Sequence, residues 1–183
     1  MKDEQPAEVL GEGRFARFVR RNGWEFCDRT RVGGIVAVAG LTEAGEMVLV
    51  SQWREPVRAV VVELPAGLAG DEAALEGESL ETAARREMME ETGCGGGRWE
   101  ELLSGPPSAG LSSEIVTFFR ATGLSRQGAG GGVGNEKIAT HLVPFGELEA
   151  WLVGVQAKGW LVDPKVYAGA WFLAEAAGGK GAE

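Results

Sequence analysis

The sequence has few of the side chains that hold transition metals through nitrogen or sulfur. It contains one histidine, His141, so a site with several histidine ligands cannot form within one chain. Its two cysteines, Cys27 and Cys94, do not make a Cys-x-x-Cys pair, and we expect no disulfide between them. A metal bound by this chain would have oxygen ligands, which favours Mg²⁺, Mn²⁺ or Ca²⁺ over zinc.

Long hydrophobic runs are also missing from the sequence. No run reaches the roughly 18 apolar residues that cross a bilayer, and the first residues lack the apolar segment of a secretion signal. We therefore expect a cytoplasmic protein without a membrane partner. The net charge of -9 disfavours nucleic acid as a partner as well. A polyanionic substrate would need a bound cation to mediate its contact with so acidic a chain.

The order of predicted elements is strands, one helix, more strands and then two helices. Asn22 and Gly23 lie between strand-like runs and predict a hairpin over 15–29. Further strands are predicted at 34–41, 47–53, 57–64, 115–121 and 138–143, and helices at 80–92, 145–157 and 164–176. The glycine-rich segment 123–134 is predicted to be a mobile loop. This order predicts an α+β fold with a mixed sheet between helices.

The length of 183 residues suits one domain with a small appendage. We expect an N-terminal hairpin unit at 1–30, which would form a dimer, and the main domain at 31–177. The last residues, 178–183, are rich in glycine and are predicted to be a disordered tail.

The helix predicted at 80–92 has charges on the side that should face the core. Ser79 is positioned as its N-cap and Gly93 as its C-terminal stop. On a helical wheel, Glu87 and Glu91 lie near the centre of the apolar face, and Glu90 lies at its edge. Two interpretations are open: a solvated acidic face, or a group of partly buried carboxylates. Buried carboxylates without partners cost several kcal/mol each, and a divalent cation would remove that cost.

The same stretch resembles a known motif. Glu78 is followed by seven residues, and residues 86–94 then read Arg-Glu-Met-Met-Glu-Glu-Thr-Gly-Cys. This pattern resembles the Nudix box from its glutamate onward. The glycine that opens the box would fall at position 72, where this chain has Glu72. Gly67 is the better match, with about five additional residues between 68 and 77.

Other segments resemble the ADP-ribose pyrophosphatase branch of the Nudix hydrolases. They lie at 24–29, 52–54, 63–67, 110–112 and 135–138, and the resemblance covers about 24–173. It implies an α/β/α sandwich and a small-molecule nucleotide substrate. It also implies Mg²⁺, with Mn²⁺ as a possible substitute, held by Ala66, Glu87, Glu90 and Glu91.

The resemblance further implies roles for single residues. The catalytic set would be Glu136, Glu90 and Arg86. In that set Glu136 positions or deprotonates water, and Arg86 orients the motif by pairing with Glu90. The substrate would be bound by Trp24, Glu25, Arg29, Arg54, Gly110 and Leu111. Because members of the branch are commonly homodimers with exchanged N-terminal strands, Trp24 would stack on adenine in the partner's site.

The most specific hypothesis is Mg²⁺-dependent hydrolysis of ADP-ribose to AMP and ribose 5-phosphate. A Nudix hydrolase of another nucleotide sugar or dinucleotide, for example GDP-mannose, is the main alternative. A nucleotide-sensing module without catalysis is a third. Ala109 stands where the branch often has proline. This difference weakens the ADP-ribose hypothesis but not the hypothesis of a Nudix hydrolase. Residue chemistry also leaves open that Trp24 only packs on a sheet and that Glu136 is an ordinary exposed loop residue.

Overall fold

A computed structural model describes residues 6–30, 33–70, 77–134 and 136–178, with side chains as far as residue 175. The first described elements form a separate sheet of three antiparallel strands, in the order β1-β2-β3. These strands are β1 (Glu8–Glu12), β2 (Ala16–Arg21) and β3 (Trp24–Arg29).

The predicted N-terminal hairpin is confirmed as β2 and β3, whose residues pair antiparallel from Arg21–Trp24 onward. Asn22 and Gly23 have φ of 52° and 80°, as a tight two-residue hairpin turn requires. The additional strand β1 was not predicted. All of its residues are exposed. Its sequence, Glu-Val-Leu-Gly-Glu, has its two apolar residues side by side, so no alternation indicated a strand.

The larger sheet contains the other strands that the structure describes. They are β4 (Gly34–Thr42), β5 (Glu46–Arg54), β6 (Ala59–Glu63), β7 (Ala66–Ala69), β8 (Cys94–Gly95), β9 (Arg98–Gly105), β10 (Val116–Arg126), β11 (Ala139–Pro144) and β12 (Leu161–Val162). Its main path is β12-β6-β5-β4-β10-β8, with β11 on β5, β7 on β4 and β9 on β10. The pairs β4/β10 and β6/β12 are parallel and the others antiparallel, so the sheet is mixed, as predicted.

Helices cover both faces of this sheet. They are α1 (Leu80–Thr92), α2 (Leu148–Ala157) and α3 (Pro164–Gly178). Side chains alternate between the faces of a strand, so Val36 and Val38 of β4 pack with α1 while Ala37 and Ala39 pack with α2 and α3. The predicted α+β fold with an α/β/α sandwich is confirmed. No helix in the described residues is long and apolar enough to span a bilayer.

Several predicted boundaries were wrong for local reasons. The strand predicted at 57–64 begins at Ala59, because Arg58 has φ of 50° and belongs to a turn. The strand predicted at 115–121 continues to Arg126 and takes in the first part of the glycine-rich segment. The short strands β7, β8 and β12 give too few residues for a period. The predicted tail beyond 178 and the loop positions 71–76 lie outside the described residues.

Candidate active site

A cavity of about 690 Å³ opens between the larger sheet, α1 and the N-terminal sheet. Seven of the residues selected from the sequence line it: Arg29, Arg54, Ala66, Glu87, Glu91, Leu111 and Glu136. Five selected residues are not among the lining residues: Trp24, Glu25, Arg86, Glu90 and Gly110. The fold thus brings together carboxylates from α1 and from the loop before β11.

The helix α1 begins and ends where the sequence predicted. The side-chain oxygen of Ser79 accepts a hydrogen bond from the Thr82 amide at 3.1 Å. At the other end Gly93 has φ of 69°, and its amide donates to the Met89 carbonyl at 2.8 Å. These caps fix the helix over Leu80–Thr92 and so fix the order in which its glutamates meet the cavity.

Arg86 is hydrogen-bonded to three carboxylates and to the backbone of β7. Its Nε and Nη2 atoms donate to the two oxygens of Glu78, both at 3.1 Å. Its Nη1 donates to Glu87 at 2.9 Å and to Glu90 at 3.1 Å, and Nη2 also reaches the Leu68 carbonyl at 3.0 Å. The hydrogen bonds to Glu78 raise the pKa of Arg86. The predicted pairing of Arg86 with Glu90 is confirmed.

Glu91 is the carboxylate that the helix buries most deeply. It is 5% exposed, and its Oε2 accepts a hydrogen bond from the Ala66 amide at 3.1 Å. Burial raises its pKa to about 8, and the Ala66 bond opposes that rise. The nearby charges of Glu87 and Glu136 raise it further. Burial likewise raises the pKa of Glu87, although the charge of Arg86 opposes it.

The glutamates of α1 differ in their partners. Glu87 and Glu90 share Arg86. Glu91 differs from them because the described hydrogen bond to its carboxylate comes from backbone. A buried carboxylate that has a backbone hydrogen bond but is not paired with Arg86 is the one that a bound cation would stabilise most.

Gly67 lets the carboxylate of Glu87 approach the backbone of β7. A Cβ atom at this position would lie 2.0 Å from Cδ of Glu87 and 2.1 Å from its Oε1. A side chain at this position would displace the Glu87 carboxylate, so glycine leaves that carboxylate its place beside β7. This contact supports Gly67, rather than position 72, as the glycine that belongs with the glutamate motif.

The donor set of the cavity floor fits a hard divalent cation. Glu87 and Glu91 present carboxylate oxygens to the cavity, and burial raises the pKa of both. The charge of Glu87 raises the pKa of Glu91 further. Among the residues that the structure describes, no three His, Cys, Asp or Glu side chains already stand in ligand geometry. Glu90 contacts Arg86 and does not line the cavity.

Two arginines line the cavity, and each is paired with a carboxylate. Arg54 donates from Nε to Glu63 at 2.8 Å, and Arg29 is hydrogen-bonded to Glu114. Guanidinium groups suit phosphate because they donate parallel hydrogen bonds. Their carboxylate partners hold the two forks at the wall of the cavity, where an anionic ligand would meet them.

Glu136 reaches the cavity from the loop that precedes β11. Its Oε2 accepts a hydrogen bond from the Val133 amide at 2.9 Å. Its charge is close enough to raise the pKa of both Glu87 and Glu91. Glu136 thus lines the same cavity as the two glutamates of α1, where a general base beside a cation site would have to lie.

Comparison with known proteins identifies the family. The model of the NUDIX domain matches residues 31–168, most of the chain. The chain belongs to the Nudix family. The matched region contains the larger sheet, α1 and all the carboxylates described above at the cavity floor.

Curated relatives of this Nudix chain match about half of its length. An ADP-ribose pyrophosphatase of Bacillus subtilis strain 168 is 37% identical over 92 residues, 50% of this chain and 47% of that protein. A methanol dehydrogenase activator of Bacillus methanolicus is 37% identical over 94 residues, 51% and 48% of the two chains. An ADP-ribose pyrophosphatase of Mycobacterium tuberculosis is 34% identical over 95 residues, 52% and 44%. The chain thus matches about half the length of these relatives.

A solved structure described as an ADP compounds hydrolase has the same fold. It superposes with a TM-score of 0.66 over 99% of both chains, at 17% sequence identity. At that identity the similarity establishes the architecture, including the N-terminal part outside the matched family region.

The N-terminal sheet of this Nudix chain contributes Ala16 of β2 and the end of β3, from Cys27 to Arg29, to the cavity. The amide of Cys27 donates to the Leu111 carbonyl at 2.8 Å, which joins that end to the cavity wall. Trp24 lies at the turn, is 66% exposed and does not line the cavity. Its neighbour Glu25 accepts a hydrogen bond from Arg20 at 2.7 Å. Within a single chain, the described cavity therefore does not include the ring that was predicted to stack on adenine.

Sequence reasoning assigned no role to four charged residues that line the Nudix cavity: Asp28, Glu63, Glu114 and Lys165. Asp28 is paired with Arg17 at 2.6 Å. Glu63 is buried and holds Arg54, and Glu114 holds Arg29. Lys165 comes from the first turn of α3 and also lines the cavity. Glu63 directly precedes the segment 64–67, so its position was an available signal. Glu114 and Lys165 reach the cavity through tertiary folding, which no local pattern indicates.

Proposed function

We propose that this chain is a hydrolase that cleaves the diphosphate bond of a nucleoside-diphosphate-linked compound with Mg²⁺, and that Mn²⁺ can substitute. The substrate that we favour is ADP-ribose, which would give AMP and ribose 5-phosphate. The observation that carries the proposal is that Glu87, Glu91 and Ala66 line one cavity. Glu136 lines the same cavity. Relatives that carry the name ADP-ribose pyrophosphatase support the choice of substrate.

The cation would be held by the carboxylates of α1 and the backbone at Ala66. Glu87 and Glu91 already line the cavity, and Glu90 is the further predicted ligand. When bound, Mg²⁺ supplies positive charge against the diphosphate and lowers the pKa of a water molecule. Arg86 acts as a positioning residue, because its contacts to Glu87 and Glu90 set where these carboxylates stand.

The side chains around the substrate have complementary tasks. Glu136 would accept a proton from the attacking water at its carboxylate as the water oxygen bonds to phosphorus. The bond from that phosphorus to the bridging oxygen breaks, and the leaving phosphate keeps the electron pair. Arg54 and Arg29 would donate to the phosphate oxygens and so stabilise the negative charge that develops there.

The N-terminal sheet has a separate task in this proposal. Trp24 is 66% exposed and outside its own cavity, while β3 carries Arg29 into that cavity. We propose a homodimer in which Trp24 stacks on the adenine bound by the partner chain. Stacking of a base on an aromatic ring contributes roughly 1–3 kcal/mol.

A substrate panel tests the proposal. ADP-ribose, GDP-mannose, an NAD-type dinucleotide and an oxidised nucleoside triphosphate are incubated with Mg²⁺ or with a chelator, and the products are identified by mass. We expect AMP and ribose 5-phosphate from ADP-ribose, with Mg²⁺ only. Preferential cleavage of another compound would contradict ADP-ribose as the substrate and identify that compound in its place. Tight nucleotide binding without any cleavage would contradict the hydrolase and favour a sensing module.

A further inference from the structure

The glycine-rich segment after β10 binds the end of the carboxylate helix through its backbone. The amides of Gly131 and Gly132 donate to the carbonyl oxygens of Glu91 and Glu90, at 2.8 and 2.9 Å. The last carbonyl groups of a helix have no partner inside the helix. In α1 two of these carbonyl groups belong to residues of the glutamate motif, and the glycine segment satisfies both.

The backbone of the segment lies so close to the backbone at the end of α1 that a side chain would not fit between them. A Cβ atom at Gly130 would lie 2.5 Å from the carbonyl carbon of Thr92 and 2.8 Å from the Gly93 nitrogen. The side-chain oxygen of Thr140, in β11, donates to the Glu91 carbonyl at 3.1 Å. The strand that follows the segment is therefore attached to the same helical turn.

The segment also touches the carboxylate that faces the helix. A Cβ atom on Gly132 would lie 2.6 Å from Oε2 of Glu136 and 2.8 Å from its Cβ. The next residue, Val133, donates its amide to the same Oε2 at 2.9 Å. Gly132 thus donates its amide to the helix end, and the lack of a Cβ atom leaves room for the Glu136 side chain.

We propose that the glycine-rich segment is a backbone bridge that sets the position of Glu136 relative to the metal-binding turn of α1. Gly132 is its positioning residue. The inference rests on the proposed function, because the position of Glu136 affects turnover only if Glu136 acts on the attacking water. Where low-complexity composition predicts a mobile loop, the segment is hydrogen-bonded to the end of α1 and to Glu136.

The same segment supplies a matched control for Gly132. Gly132 and Gly134 both have left-handed backbones, with φ of 84° and 63°. A Cβ atom at Gly134 would meet nothing within 4 Å, whereas at Gly132 it would strike Glu136. Alanine at either position carries the same kind of backbone penalty. Only Gly132→Ala also displaces the carboxylate.

The first test compares steady-state kinetics of Gly132→Ala and Gly134→Ala. We expect kcat of Gly132→Ala to be at least about 10-fold lower than that of Gly134→Ala, with KM within about twofold. Circular dichroism should show that both variants keep the native fold. Equal kcat values in the two folded variants would overturn the positioning role.

The second test asks whether Gly132 acts through Glu136. In a Glu136→Gln background the carboxylate base is already lost, so adding Gly132→Ala should lower kcat by less than about twofold. A loss as large as in the wild-type background would overturn the inference, since Gly132 would then act by another route. Wild-type kcat in Glu136→Gln itself would overturn the assigned role of Glu136.

The third test does not depend on turnover. Amide hydrogen exchange of Gly131 and Gly132 should be at least about 100-fold slower than in an unstructured peptide, because both amides are bonded to α1. Exchange at the unstructured rate in an active enzyme would overturn the bridge while leaving the proposed hydrolase intact. A wild-type chain that cleaves none of the panel would overturn the proposed function and the positioning role together.

Discussion

The helices α1 and α3 pack against opposite faces of the same sheet but bury different chemistry. The buried side chains of α3 include Val166, Phe172 and Leu173, and Phe172 meets Phe118 edge to face with ring centroids 5.8 Å apart. Helix α1 buries apolar side chains together with the polar Glu91 and Thr92. A buried carboxylate lowers the free energy of unfolding of the metal-free protein, whereas a buried leucine raises it. The comparison separates a helix that stabilises the fold from one that carries a site at a cost to stability.

The largest effect expected on the α1 side is the loss of turnover in Glu91→Gln. The substitution removes a charged ligand, so kcat should fall by at least about 10³-fold with saturating Mg²⁺, while the circular dichroism spectrum stays native. Glu81→Gln is the control on the same helix, because Glu81 is exposed and pairs only with Arg85 among the described residues. Normal turnover in Glu91→Gln would remove Glu91 from the proposed site.

The opposite result is expected on the α3 side. Leu173→Ala leaves a cavity in the core and should lower the free energy of unfolding by about 2–5 kcal/mol. The kcat of the folded fraction should stay within about twofold of wild type. Urea unfolding provides the measurement, with Val153→Ala as control because Val153 is 61% exposed. A kcat loss in Leu173→Ala comparable to that of Glu91→Gln would erase the contrast between the two helices.

Stability against pH should distinguish the helices as well. The folded pKa of Glu91, about 8, lies above its ordinary value of 4.5. Its contribution to stability is therefore complete below pH 4.5 and is lost as the pH rises through 8. Without metal at pH 8, Glu91→Gln should exceed wild type by on the order of 1–3 kcal/mol. Urea titrations with chelator should show the difference shrinking towards pH 5. A variant that is less stable at both pH values would contradict the cost assigned to α1.

The smallest of these effects is expected in the N-terminal sheet, outside both helices. If Trp24 stacks on adenine in a partner's site, Trp24→Ala should raise KM for adenine compounds by about 10-fold and leave kcat within about twofold. Trp171→Ala is a suitable control, since Trp171 is 58% exposed on α3. An unchanged KM would assign Trp24 to packing or to the surface.

The parts of the molecule that the sequence predicted are those with local signals. Ser79, Gly93 and the apolar period defined α1, and Asn22-Gly23 defined the hairpin. The pairing of Arg86 with Glu90 follows from helical spacing. The hydrogen bond from Arg86 to the Leu68 carbonyl joins α1 to β7, and no spacing within the helix encodes it.

The glycine-rich segment shows why the rest was not predictable. Glycine repeats carry no side-chain pattern, so composition suggested a mobile loop. The contacts that hold the segment are made by backbone amides of Gly131 and Gly132 to carbonyl groups of α1. Such contacts depend on the position in which β10 places the segment. They do not depend on the side chains of the segment. The pairing of Glu63 with Arg54 across neighbouring strands was missed for a similar reason.

The claim on which the account depends is that the buried carboxylates of α1 hold a divalent cation. Calorimetric titration with Mn²⁺ tests it directly, using wild type, Glu91→Gln and Glu81→Gln at equal protein concentration. We predict saturable binding to wild type and Glu81→Gln, and affinity at least about 10-fold weaker for Glu91→Gln. Binding curves that coincide for all three proteins, or no binding to the wild type, would contradict the account.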